Sequence, residues 1–162
     1  GYQRRAYILK QMNRDSLAEV DYITSLHYNM TNPVTNNNYG FLLFNQYRFD
    51  ESKKYFEIAV RYNPIYAHAL NNLASVYGVY GQGATEEAKR DPANAEKHLA
   101  NARVNFQTAI VYFLKSIEAD PEFLDPYRLA AVTYKNIGDI ANAEKYEALA
   151  NKVARQKQNA KN

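Results

Sequence analysis

Residues 36–64 read NNNYGFLLFNQYRFDESKKYFEIAVRYNP, and this stretch decides the fold. Its second half places Tyr55, Phe56, Ala59 and Val60 at helical spacing, and Pro64 closes the run. Working outward, the same signals return at fixed steps. Asn63-Pro64 reappears as Asp120-Pro121 after 57 residues, and Phe56 maps onto Phe113 with the same shift. Gly40, Ala74 and Ala131 align with steps of 34 and then 57, as do Leu43, Tyr77 and Tyr134, and also Tyr47, Gly81 and Gly138. Since 57 exceeds 34 by 23, the period is 34, and one unit carries 23 extra residues. Stepping back 34 from Gly40, Leu43, Ser52, Phe56 and Ala59 gives Ala6, Leu9, Ala18, Tyr22 and Ser25, a fourth unit.

Other apolar stripes are also helical, as at Phe106, Ala109, Ile110, Phe113 and Ile117, and at Tyr127, Ala130, Ala131 and Tyr134. Strict alternation over strand length is scarce. The chain therefore reads as all-α. Small residues at Gly40, Ala74 and Ala131 allow two helices of a unit to cross closely, and Phe56, Phe113 and Tyr22 fill the space between units. Gly81 and Gly138 are expected to form the turn between paired helices. One such pair cannot bury its apolar face, so the units are expected to stack into an α-solenoid.

The period and columns resemble the tetratricopeptide repeat, over roughly residues 1–157. Residues 36–64 are the best copy. NNLASVYGVYG (71–81) with NFQTAIVYFLKSIEADP (105–121) is the split copy. RRAYILKQMNRDSLAEVDYITSL (4–26) is the first and YRLAAVTYKNIGDIANAEKYEALA (127–150) the last. The departures are Met30 for the closing Pro, Tyr47 for the turn Gly, and Glu147 for the aromatic of the last copy. The resemblance implies a right-handed superhelix forming a single domain over 1–157. Its repeats would be about 1–32, 33–66, 67–123 and 124–157, with a basic tail at 158–162.

The extra residues fall at about 82–104. GQGATEEAKR (81–90) carries turn signals, and Asp91-Pro92 suits an N-cap followed by proline at the first helical position. No Gly or Pro stands between Pro92 and Ala119, so one helix of about 28 residues, about 42 Å long, is expected. A loop or short helix around Thr85 to Lys89 would precede it. Its first half would project beyond its neighbours, as a plain extension or as a docking lip.

The composition bounds the chemistry. The chain has 162 residues, 46% apolar and 23% charged, with no Cys. A disulfide framework, a thiol nucleophile and a Cys-ligated zinc are excluded. No apolar run approaches a membrane span, so no direct membrane insertion is expected. Net charge is +3, but four cations (Lys152, Arg155, Lys157, Lys161) lie in 148–162 with no carboxylate. The remainder holds 16 cations against 17 acids, which is no basic footprint for nucleic acid. His27, His68 and His98 stand on different units without carboxylates at ligand spacing, so no metal is expected. Glu86-Glu87 and Asp91 lack a general-acid setting, and Gly78, Gly81 and Gly83 lack the lysine of a phosphate loop. Neither an enzyme nor a cofactor is indicated.

What the resemblance implies instead is a groove lined by the first helix of each repeat, binding a peptide or protein segment. Carried over copy by copy, its residues are Gln3, Tyr7 and Lys10, then Asn37, Asn38, Phe41, Phe44 and Asn45. Asn71, Asn72 and Ser75 follow, and then Arg128, Val132, Lys135 and Asn136. Asn38 and Asn72 hold equivalent places and would form a short amide ladder for an extended backbone. Gln3 and Tyr7 stand where the cationic carboxylate clamp of chaperone-binding members needs Lys and Asn. Two alternatives stay open: a self-assembling repeat module giving a homo-oligomer, and an accessory repeat domain of a larger extracytoplasmic membrane enzyme, such as a glycan-modifying transferase. The chain reads as the repeat region of a larger protein. The compartment is open, since cytoplasmic and extracytoplasmic settings both fit.

Overall fold

The computed structural model describes residues 1–160, and no strand occurs among them. Eight helices follow one another: α1 (Tyr2–Gln11), α2 (Asp15–Tyr28), α3 (Pro33–Asn45), α4 (Phe49–Tyr62), α5 (Ala67–Arg90), α6 (Ala95–Ala119), α7 (Asp125–Asn136) and α8 (Ile140–Asn159). A 3₁₀ turn at Pro92–Asn94 leads into α6. The chain divides into two compact units, Gly1–Asn72 and Leu73–Asn162, with the boundary inside α5. The expected basic tail begins as helix, because α8 continues through Asn159; Lys161 lies outside the described residues.

The turns show why a 34-residue step repeats. Asn13, Tyr47 and Gly138 all adopt positive φ, at 57°, 61° and 80°. In each case the next amide donates to a carbonyl in the last turn of the preceding helix: Arg14 to Leu9 (2.9 Å), Arg48 to Leu43 (3.0 Å) and Asp139 to Tyr134 (3.0 Å). This left-handed closure satisfies carbonyls that a helix end would otherwise orphan. Tyr47 fills the place without glycine because the surrounding hydrogen bonds hold it there, at a steric cost.

Gly81, the fourth member of that column, departs from the expected turn. It lies buried within α5, and a Cβ there would sit 2.6 Å from the Phe106 ring. The long helix expected over 92–119 forms as α6 behind the 3₁₀ turn, but in place of a separate loop or short helix before it the 23 extra residues continue α5. They lengthen both partners of the third pair, so α5 has 24 residues and α6 has 25. The segment Thr85 to Lys89 is thus helical, and the turn has moved to Asp91. Two glycines, Gly81 and Gly83, mask the helical periodicity here; Gly81 is held in the helix by close packing on Phe106, while Gly83 is exposed with nothing near it. Ala84, Ala88 and Ala102 bury small faces in this extension. Glu86–Lys89 and Glu87–Arg90 ion pairs cover its outside. Helix α7 is 12 residues long, so α6 outruns it by about 20 Å.

In the N-terminal unit the core comprises Ala6, Ala18, Tyr22, Tyr39, Leu42 and Leu43. Gly40 brings α3 against α4: a Cβ there would lie 2.8 Å from Phe56, which is fully buried. Asn36 ties the link between α2 and α3 to the start of α3, donating to the Met30 carbonyl (2.9 Å) and the Asn32 carbonyl (2.8 Å). Two charged clamps join the helices. Arg5 grips buried Asp21 through two 2.6 Å bonds, tying α1 to α2. Arg48 reaches Glu19 of α2 (2.8 Å) and Glu51 of α4 (2.7 Å), while the Tyr39 hydroxyl also donates to Glu19 (3.0 Å). In the C-terminal unit, Ala74, Ala109, Phe113 and Ala130 form one cluster, and Tyr127, Ala150 and Val153 another.

Candidate functional site

The expected groove residues separate by burial. Asn37 and Asn71 are 5% and 7% exposed, so both side chains lie in the interior of the N-terminal unit. Asn37 is a hub. Its Oδ1 accepts from Asn72 Nδ2 at 2.9 Å, its Nδ2 donates to Asn38 Oδ1 at 3.4 Å, and it also bonds the Tyr66 hydroxyl. Burial pushes the Tyr66 hydroxyl above its ordinary pKa, and the bond to Asn37 pulls the other way. The Asn38 and Asn72 amides are therefore engaged within the fold. A buried amide with unmet groups is costly, and these two neighbours satisfy both ends of the buried Asn37 amide.

What stays outside in the N-terminal unit is a patch on α1 and α3. Tyr7 is 51% exposed and Phe41 38%. The Lys10 ammonium lies 4.5 Å from the centre of the Phe41 ring, a cation–π distance. Asn45 is exposed beside them, whereas Phe44 is half-buried with its ring set edge-on to Phe49 at 5.2 Å. The tyrosines behind the patch are packing residues. Burial pushes the Tyr22 hydroxyl up to about 12, and burial with donation to Glu19 raises that of Tyr39.

The last repeat contains a second depression. Arg128, Ala131, Val132 and Lys135 of α7 face Ala143, Glu147, Ala150 and Asn151 of α8 across a cleft of about 270 Å³. Asn136 does not join this set. It borders a different hollow of about 210 Å³ with Gln82, Thr85, Glu86 and Phe106. Ser75 is half-buried on α5. The α8 wall of the cleft was missed by first-helix reasoning; its signals were Glu147 in the aromatic column and the small residues Ala143 and Ala150.

Among the described residues no three of His, Asp or Glu come together as a metal-holding group, and no helix is long and apolar enough to cross a membrane. His98 lies 3.4 Å from Asp91 at the hairpin turn, where Asn94 and then His98 hold the Asp91 carboxyl below the usual carboxylate range. His27 and His68 are on other helices.

No family profile matches the sequence, and no curated protein sequence matches it. Solved structures do match its fold. The MamA protein superposes with a TM-score of 0.75 at 17% identity, over 98% of this chain and 74% of that one. PilF of Pseudomonas aeruginosa gives 0.71 at 19%, over 94% and 59%. A thermophilic tetratricopeptide-repeat protein of Thermus thermophilus gives 0.66 at 13%, over 92% and 71%. At such identities the likeness is one of fold. The chain has the all-α solenoid fold of tetratricopeptide-repeat proteins.

Proposed function

We propose that this chain is a non-catalytic interaction module that binds a peptide or protein segment on the exposed faces of its first-helix positions. The observation that carries this reading is the α1–α3 patch. Tyr7 and Phe41 are aromatic and exposed, with Lys10 over the ring and Asn45 beside it. Aromatic side chains in such settings supply large contact area at low entropic cost, and they dominate many interfaces. Helices locked by the Arg5–Asp21 and Arg48–Glu19–Glu51 clamps hold the patch rigid, which lowers the ordering cost of binding.

A displayed random-peptide library tests this. Peptides should be enriched on the wild-type chain, and a Tyr7→Ala/Phe41→Ala variant of unchanged melting temperature should lose those that dock on this patch. If no sequence is enriched on the folded wild-type protein, the interaction reading fails.

A further inference from the structure

The geometry points to the α7–α8 cleft as a socket for a large apolar side chain of a protein partner, flanked by acidic residues. The reason lies in one column of the repeat. In the first three repeats that column is Tyr22, Phe56 and Phe113, all at most 2% exposed. Each lies in the cluster of, or directly against, its repeat's small residue: Tyr22 with Ala6, Phe56 against Gly40, Phe113 with Ala74. In the last repeat the small residue is Ala131, but the aromatic place is Glu147, which is exposed. The room that an aromatic ring fills elsewhere is here an open cleft, with Ala131 and Ala143 nearly covered and Val132 53% exposed at the rim.

The charges choose the partner's chemistry. Arg128 and Lys135 stand two helical turns apart on α7, on either side of Ala131 and Val132, about 10 Å from one another along the axis. Neither makes an ion pair among the described residues. A helical segment with a carboxylate, then an aromatic three or four residues on, then a carboxylate at the seventh place presents the complementary set on one face. The cavity volume suits one or two side chains and is below the usual range for a drug-sized cofactor. This inference rests on the interaction-module reading, but uses a surface confined to the C-terminal unit.

The test uses a fluorescein-labelled helical peptide with Glu at i and i+7 and Phe at i+3, and a second peptide with Lys in place of both Glu. Fluorescence anisotropy should show the acidic peptide binding at least about tenfold more tightly than the basic one, with affinity falling as salt rises. Arg128→Glu with Lys135→Glu should reverse the preference. Glu147→Phe should refill the socket, weaken the acidic peptide by about tenfold or more, and raise the melting temperature, an effect no loss of folding could mimic. Tyr7→Ala/Phe41→Ala should leave this binding unchanged. Equal binding of both peptides, or a preference that survives Glu147→Phe and the charge reversal, overturns the proposal. So does wild-type self-association abolished by the charge reversal, which would make a second copy the occupant. If neither peptide binds while library peptides do, and those depend on Tyr7 and Phe41, the socket falls and the interaction module stands. If the library also yields nothing, both fall.

Discussion

Removing residues 82–104 should return the third pair of helices to the form of its neighbours. The deletion joins Gly81 to Asn105 and Phe106, as Tyr47 joins Arg48 and Phe49, and Gly138 joins Asp139 and Ile140. Gly81 would have to leave the α conformation for the left-handed one, which glycine does at little cost. Only three residues of the removed segment are buried, and all are alanines: Ala84, Ala88 and Ala102. Their burial contributes about 2 kcal/mol in total at ~0.8 kcal/mol per methyl-sized group. Phe106, now 4% exposed, would take a place that is half-buried at Phe49 and half-exposed at Ile140, costing about 1 kcal/mol more. A loss of about 3 kcal/mol is below the ~5–15 kcal/mol of ordinary domains, so the shortened chain should melt cooperatively at lower temperature. A second substitution sharpens the test. In the full chain Gly81→Ala crowds the Phe106 ring at 2.6 Å, so it should couple strongly to Phe106→Leu. In the shortened chain Gly81→Ala should cost ~1–2 kcal/mol from its left-handed backbone, and the two changes should be additive. Circular dichroism and denaturant melts read both. Loss of the cooperative transition, or of far more helix than was deleted, would show that the extension is part of the core and refute the reasoning.

Three further outcomes are expected. Gly40→Ala should destabilise by about 1–2 kcal/mol, because its Cβ meets Phe56 at 2.8 Å and the Ser52 carbonyl at 3.2 Å; Gly83→Ala, with nothing within 4 Å, should stabilise by up to ~1 kcal/mol in the same melts. Asn72→Ala should lower stability by roughly 1–3 kcal/mol, since it removes the donor from buried Asn37; an unchanged melt with lost peptide binding would restore the ladder idea. The Arg5 hydrogen bonds hold the Asp21 carboxyl below the usual carboxylate range against the opposing effect of burial. A carboxyl depressed in the folded state stabilises above its unfolded pKa, about 4, and that contribution is lost as pH falls through the folded value. Asp21→Asn should therefore flatten the acid limb of stability against pH, and an unaltered acid limb would assign that limb to other groups.

The sequence alone determined the helical class, the 34-residue step and the columns of small and aromatic residues, because each reflects a local period or a volume that recurs in every copy. It also marked Glu147 as the odd member of the aromatic column. Tertiary structure decided the rest. Gly81 reads as a turn from local propensity, yet α5 passes through it because Phe106 needs a neighbour without a Cβ. Asn38 and Asn72 read as a short amide row, yet each bonds Asn37, because an amide on a helix is aimed by the packing of the next helix and not by its spacing. Glu147 flagged a missing ring, but only the packing of α7 on α8 shows the open cleft over Ala131. A missing ring leaves no measure of volume in the sequence, and only the helices that its siblings hold together show the space it would have filled.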